Sequence, residues 1–335
     1  MPITLIATVL NEGDNIHHML EGLLAQTRQA DEIIIVDGGS TDNTVEILHS
    51  YSDRLSLRVF VKDGYNISEG RNFAIQQATH DVLAITDAGT RLTETWLENI
   101  THPLLENDSV TVVAGFFVAD PHNTFETAMG ATVLPLADEI DPATFLPSSR
   151  SVAVRKSAAL AVDGYPEWLD YCEDLVFDMR LQATQPPFVF APDALVYFRP
   201  RESLQSYFKQ YYLYARGDGK ADLWRKRHAI RYITYLVAAP LILLISAFWH
   251  PAWLGLAVVG GAVYLYQPYR RLPTVMQRNP QKSPLAWLQA ILWIPILRAI
   301  GDIAKMLGYP IGWQWRLANQ PPNWQITPQE QVSHA

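Results

Sequence analysis

One stretch, Glu32-Ile33-Ile34-Ile35-Val36-Asp37-Gly38-Gly39-Ser40-Thr41-Asp42-Asn43-Thr44, constrains the fold of this chain more than any other. An apolar run stops at an acid, two glycines and a cluster of hydroxyl and amide side chains, and a helical pattern follows. The pattern predicts a buried strand that delivers Asp37 to a tight strand-to-helix turn. At such a turn, side chains and the free N–H groups of the helix start can meet a ligand. Taken alone, the turn admits a dinucleotide site as readily as any other nucleotide site.

The alternation continues through the first 200 residues. Strands are predicted at 3–10, 32–36, 57–61, 82–86, 110–115, 151–154 and 194–198. Helices are predicted at 14–26, 41–51, 68–77 with Ser68 as N-cap, 93–105, 156–162, 175–182 and 202–216. Residues 121–147 are less regular and fit a helix plus a loop. Strands alternating with helices of this length imply an α/β fold with a mainly parallel sheet covered on both faces. Ligands of such sheets bind beyond the carboxyl ends of the strands. Asn11, Asp37 and Asp87 all fall at predicted strand ends, so the spacing predicts one polar, acidic cleft.

Charge divides the chain. Residues 1–200 hold 29 of the 34 acidic side chains and only 11 of the 26 basic ones, whereas residues 201–335 hold 5 acids and 15 bases. An acidic folded region excludes a nucleic-acid partner. A basic region beside apolar runs points to membrane lipids. No Asp, Glu, Lys or Arg occurs from Tyr232 to Tyr269. That run is too long for one span of about 20 residues and fits two, at roughly 230–249 and 252–269, with Trp249 and Trp253 at the turn. Arg225, Lys226, Arg227 and Arg231 precede it, and Arg270, Arg271, Arg278 and Lys282 follow it, which predicts that both flanks are cytoplasmic. A buried soluble helical hairpin is the alternative. Segment 284–307 carries Arg298, Asp302 and Lys305 and predicts an interfacial helix rather than a third span. The polar tail is expected to be disordered. The expected organisation is a domain at 1–220, a basic-flanked hairpin at 221–282, an interfacial helix at 283–318 and a tail at 319–335. The single cysteine, Cys172, excludes an internal disulfide framework and a multi-cysteine zinc site. The first ten residues have the pattern of a strand and lack a basic leader, so residues 1–200 are expected on the cytoplasmic side; with the two spans this predicts a multi-pass inner-membrane protein.

Four sites in the acidic region carry chemistry: Asp37, Arg71-Asn72, Asp87 and Glu173-Asp174. Each alone is an ordinary helix cap or turn residue. In this order they resemble the family 2 glycosyltransferases of GT-A fold. The resemblance rests on Ala7-Thr8-Val9-Leu10-Asn11-Glu12, Val36-Asp37-Gly38-Gly39-Ser40-Thr41-Asp42, Gly70-Arg71-Asn72-Phe73-Ala74, Thr86-Asp87-Ala88-Gly89, Asp163-Gly164-Tyr165-Pro166-Glu167 and Glu173-Asp174. Arg216-Gly217-Asp218-Gly219 resembles a segment of membrane-attached members.

The resemblance implies inverting transfer of a sugar from a nucleotide-sugar donor to an acceptor hydroxyl. Asp174 matches the general base, with Glu173 supporting it. Asn11, Glu12, Asp37, Arg71, Asp87 and Arg216 fall at donor-binding positions. Asp87 also heads the place of the family's metal-binding Asp-x-Asp, which implies a divalent metal, Mg or Mn. Here the third residue is Gly89, and a hard cation prefers several oxygen ligands. Gly38 replaces an acid that many relatives carry and leaves the nucleotide base open. The Gln-x-x-Arg-Trp motif of processive synthases is absent, which favours transfer of single sugars. A lipid-linked or hydrophobic acceptor follows from the predicted membrane location. Two alternatives stay open: a nucleotidyltransferase acting on a sugar phosphate, and a nucleotide-sugar-binding scaffold without turnover.

Overall fold

A computed structural model describes residues 1–325. The described residues form two compact units, one built from 1–118, 137–198 and 322–325, the other from 119–136 and 199–321. In chain order the elements are β1 (Ile3–Val9), α1 (Ile16–Leu24), β2 (Glu32–Asp37), α2 (Thr44–Ser50), β3 (Leu57–Val61), α3 (Ile67–Gln77), β4 (Val82–Ile85), β5 (Thr90–Leu92), α4 (Trp96–Glu106), β6 (Val112–Ala119), α5 (Thr124–Val133), β7 (Val152–Arg155), α6 (Lys156–Ala161), α7 (Glu173–Thr184) and β8 (Val189–Phe198). Then follow α8 (Leu204–Ala221), α9 (Arg225–Ile233), α10 (Ala239–Phe248), α11 (Leu254–Met276) and α12 (Pro284–Asn319).

The first unit is an α/β layer structure on a sheet of order β3-β2-β1-β4-β7-β6-β8-β5. Its first half is the parallel sheet that the alternation predicts, with β2 paired to β1 and β3, and β1 to β4. The second half is antiparallel: β7 runs against β4 and β6, and β5 against β8. The short strand β5 has no sequence signal of its own, because three residues are held as a strand by β8 and not by local pattern. The period of two splits each apolar run between two cores. Ile3, Leu5, Ile33 and Ile35 pack with α1, α2 and α4, while Ile6, Ile34 and Val36 pack with α3, α6 and α7. Burial on both faces explains why these strands are continuously apolar. Helix α3 begins one residue earlier than its predicted cap. Asn66, not Ser68, is the N-cap: its side chain accepts from Ser68 N and Glu69 N, and Glu69 accepts from Asn66 N at 2.8 Å. Ser68 is buried and donates to Leu169 O instead.

The second unit is helical. α8 lies along α12 at unusually close range. A Cβ added at Gly219 would come within 2.3 Å of Tyr309 O, and one at Gly312 within 1.9 Å of Arg216 O, so only glycine permits the approach. The Arg216-Gly217-Asp218-Gly219 segment is thus part of a helix contact. The helix over α9 and α10 runs from Arg225 to Phe248 and is the one helix among the described residues long and apolar enough to cross a membrane. It has a π-helical turn at Thr234–Ala238, just before Pro240, whose missing N–H breaks the regular ladder. The second expected span falls in α11, where the apolar stretch 254–266 gives way to Gln267, Pro268, Arg270 and Arg271. At 1.5 Å per residue that stretch covers about 20 Å, short of the roughly 30 Å of a hydrocarbon core. Two full spans, and with them a multi-pass protein, are therefore not supported. In α12, Asp302 is nearly buried and accepts from Arg231 Nε at 2.7 Å and from Tyr264, which accounts for a charge within an apolar helix. Of the predicted tail, residues 326–335 lie outside the described residues.

Candidate active site

The turn after β2 is built around Asp37. Its carboxylate is fully buried, accepts from Gly39 N and Ser40 N at 2.8 Å each, and takes a third bond from Ser40 Oγ. The end of β1 is laced to the same turn. Asn11, in the left-handed region with φ 53°, donates its N–H to Ser40 Oγ at 2.8 Å and accepts from Thr41 N at 2.9 Å. Thr44 Oγ1 accepts from the N–H groups of Glu12 and Gly13 at 3.0 and 2.9 Å. Beside these residues is a cleft of about 230 Å³ lined by Thr8, Glu12, Gly38, Tyr65, Asn66 and Gly70. A Cβ at Gly38 would sit 3.0 Å from Tyr65 O, so a side chain there would press on that carbonyl.

The acids expected at 87 and 173–174 are joined by Arg71. This side chain is 2% exposed; it donates from one terminal nitrogen to Glu173 at 2.8 Å and from the other to Asp87 at 2.7 Å. Its guanidinium lies over the Tyr165 ring at 5.0 Å, and its Nε has no partner among the described residues. Burial works against its charge, but Asp87, Tyr165 and Glu173 outweigh that cost and hold it firmly protonated. Arg71 therefore supports the acids, and both of its terminal nitrogens are engaged by protein. The neighbouring Asn72 ties α3 to the 163–167 turn, accepting from Tyr165 N and donating to Tyr165 O, each at 2.8 Å. Gly164, at φ 62°, is required there because a Cβ would lie 2.3 Å from Asn72 Oδ1. The motifs at 70–74 and 163–167 are one interlocked piece.

Glu173 and Asp174 open α7, where the helix dipole favours negative charge. Glu173 is nearly buried, and burial followed by the Asp174 charge pushes its carboxyl up to about 7 against the pull of Arg71. Asp174 is half-buried; one oxygen accepts from Leu175 N at 2.9 Å and the other faces Ser148 Oγ at 3.5 Å. Three participants were not singled out from sequence. Ser148 and Arg150 sit in the irregular stretch before β7, which offers no periodic signal. Asp178 is one turn beyond Asp174 on α7, buried, with Oδ2 unpartnered among the described residues, and burial and the Asp174 charge raise its carboxyl well above the ordinary range. The i, i+4 spacing from Asp174 was the available signal. Arg216 lies in α8 of the second unit.

The residues present do not fit a protein-held divalent cation. Asp87 supplies one carboxylate, and its two oxygens face guanidinium groups, Arg71 at 2.7 Å and Arg150 at 3.8 Å. The space at Gly89 is open: a Cβ there would meet nothing within 4 Å, so a second acid is missing rather than excluded. Among the described residues no three metal-ligating side chains converge.

Residues 4–149 match the Glycosyl transferase family 2 profile. Over 107 residues the chain is 35% identical to the uncharacterized glycosyltransferase YibD of Escherichia coli (strain K12), covering 32% of this chain and 31% of that protein. It therefore spans about a third of that relative's length. Similarity to the succinoglycan biosynthesis protein ExoA of Rhizobium meliloti (strain 1021) is lower, 26% over 309 residues, but covers 86% of this chain and 90% of that one. Among solved structures, the mannosyltransferase PcManGT of Pyrobaculum calidifontis superimposes with a TM-score of 0.60 at 18% identity, covering 90% of this chain and 86% of that one, a likeness of fold. The strand-end turn and the Arg71-linked acids thus accompany a glycosyl transferase family 2 profile match over residues 4–149, and the fold is of the GT-A type.

Proposed function

We propose that this protein transfers a sugar, with inversion, from a nucleotide-sugar donor to the hydroxyl of a membrane-associated acceptor. The observation that carries the reading is the Arg71 bridge, which brings the strand-end acid Asp87 within one guanidinium of the acids that open α7. A donor nucleotide held between the Asp37 turn and Asp87 places its anomeric carbon toward Asp174. The cleft beside that turn, at about 230 Å³, is below the range of about 300–1,000 Å³ for a whole ligand and suits its nucleoside end. Asp174 accepts the proton as the acceptor oxygen bonds to the anomeric carbon; the bond from that carbon to the diphosphate breaks on the opposite face, and its electron pair leaves with the diphosphate. Arg71, paired with Glu173 and sensing the Asp174 charge, offsets the repulsion between the two acids that open the helix. The relatives' names and the solved neighbours support this class: one neighbour is a complex with GDP-Man and Mn2+, and ExoA is a succinoglycan biosynthesis protein. A place in polysaccharide or glycolipid assembly follows.

The membrane reading rests on the helix Arg225–Phe248, where Leu236, Val237, Leu241, Leu243, Leu244 and Phe248 are exposed. α8, before this helix, packs closely along α12, after it. The chain must therefore return to the side from which it entered, and α10 with the shorter α11 forms a hairpin dipping into the inner membrane. The basic flanks put the catalytic unit on the cytoplasmic side.

The test is to offer membrane fractions a panel of nucleotide sugars and score nucleoside diphosphate release. Asp174→Asn is expected to lower turnover by about 10²–10⁴-fold while leaving donor binding in place. Turnover at the wild-type rate refutes the base assignment.

A further inference from the structure

A diphosphate brought beside Asp87 meets a like charge, and Asp87 offers a hard cation that could offset it a single carboxylate. The charge nearest to hand belongs to the chain. Arg150 has its Nε 3.8 Å from Asp87 Oδ2, with 20% of its side chain exposed. A terminal nitrogen of Arg150 donates to Ser148 Oγ at 3.0 Å, the hydroxyl that faces Asp174 at 3.5 Å. The guanidinium is therefore stationed between the donor-side acid and the base. Its backbone is anchored, since Thr86 Oγ1 donates to Arg150 O at 2.9 Å. Its plane is supported by the Phe198 ring, 4.4 Å away, and by Phe117 at 5.4 Å. Both terminal nitrogens of Arg71 are held by carboxylates, and Arg150 is the second guanidinium at Asp87, with its Nε at 3.8 Å.

We propose that this chain neutralises the donor diphosphate with Arg150, and binds nucleoside diphosphate without a divalent cation. The inference rests on the sugar-nucleotide reading above and goes beyond it, to the means by which leaving-group charge is met. A guanidinium presents a planar fork of donors matched to phosphate oxygens, and it carries its charge at any pH the protein survives. Donors aimed at the departing diphosphate act where the charge develops. Arg150 is a catalytic residue in this scheme and Asp87 orients it. Gly89 is the counterpart: the acid that would recruit a metal is absent, and the space for it is open.

The experiment is calorimetric titration of the full chain in detergent with uridine diphosphate and guanosine diphosphate, in EDTA and in Mn2+. The expected result is a wild-type Kd in EDTA within threefold of that in Mn2+. Arg150→Gln weakens the EDTA Kd tenfold or more, Arg150→Lys weakens it less, and Gly89→Asp makes Mn2+ tighten binding at least tenfold. Should Arg150→Gln fail to fold, the wild-type and Gly89→Asp titrations decide. A wild-type Kd that weakens tenfold or more in EDTA overturns the inference alone and leaves the sugar-nucleotide reading standing. Absence of binding under both conditions overturns both.

Discussion

Replacing Glu173 by Gln keeps an oxygen for the Arg71 guanidinium and removes a titration. Glu173 is 7% exposed and accepts from Arg71 at 2.8 Å. Burial and the Asp174 charge raise its carboxyl from 4.5 in the unfolded chain to about 7 in the folded one. Between those values the native state binds a proton that the unfolded state has lost, so stability falls as pH rises through the window. A shift of this size corresponds to about 3 kcal/mol, fully expressed above the folded value. Glu173→Gln carries no such dependence. The variant is expected to match wild type near pH 4.5 and to exceed it by up to about 3 kcal/mol at pH 8, or roughly 6–12 °C in unfolding midpoint for a unit of this size. Thermal unfolding of the detergent-solubilised full chain, followed by near-UV circular dichroism at pH 4.5, 6, 7 and 8, measures the divergence. A variant that tracks wild type at every pH, or is the less stable at pH 8, refutes the reasoning that Glu173 is held against its own charge.

Arg71→Met should destabilise the first unit by about 3–5 kcal/mol, because it strands the buried carboxylate of Glu173 and unpins Asp87; denaturant unfolding reads this, and a loss under about 1 kcal/mol would mean the bridge is not formed. For topology, a reporter fused after Lys282, beyond α11, is expected to read as cytoplasmic, like one fused before Arg225. A reporter on the opposite side at Lys282 contradicts the returning hairpin and the α8–α12 contact alike.

What can be read from this sequence is what depends on near neighbours. Ile33 to Val36 announce a strand because β-branched residues in an unbroken apolar run suit a doubly covered sheet. Asp37, Asp87 and the pair at 173–174 stand out because each interrupts such a pattern at an element boundary. The 232–269 run declares an apolar hairpin by composition. The partners of these residues are not local. The Arg71–Glu173 contact spans 102 residues, and only the packing of α7 and α3 on one face of the sheet closes it. In sequence Arg71 is equally suited to a phosphate, and burial decides that its nitrogens serve two carboxylates. Arg150 sits in an irregular stretch that gives no signal, and it gains meaning from a strand end more than sixty residues away. The antiparallel half of the sheet, β5 within it, and the reduced length of the second apolar helix follow the same rule.

The sequence by itself determined the alternating strands, the acids at their ends and the division into an acidic and a basic half, because pattern and charge are properties of a segment. The turn at Asp37 shows the limit most plainly. The glycine at 38 is visible in the sequence. What stands over it, the Tyr65 carbonyl 3.0 Å from where a Cβ would be, belongs to the tertiary structure, since it is set by a loop that arrives only when β3 has paired with β2.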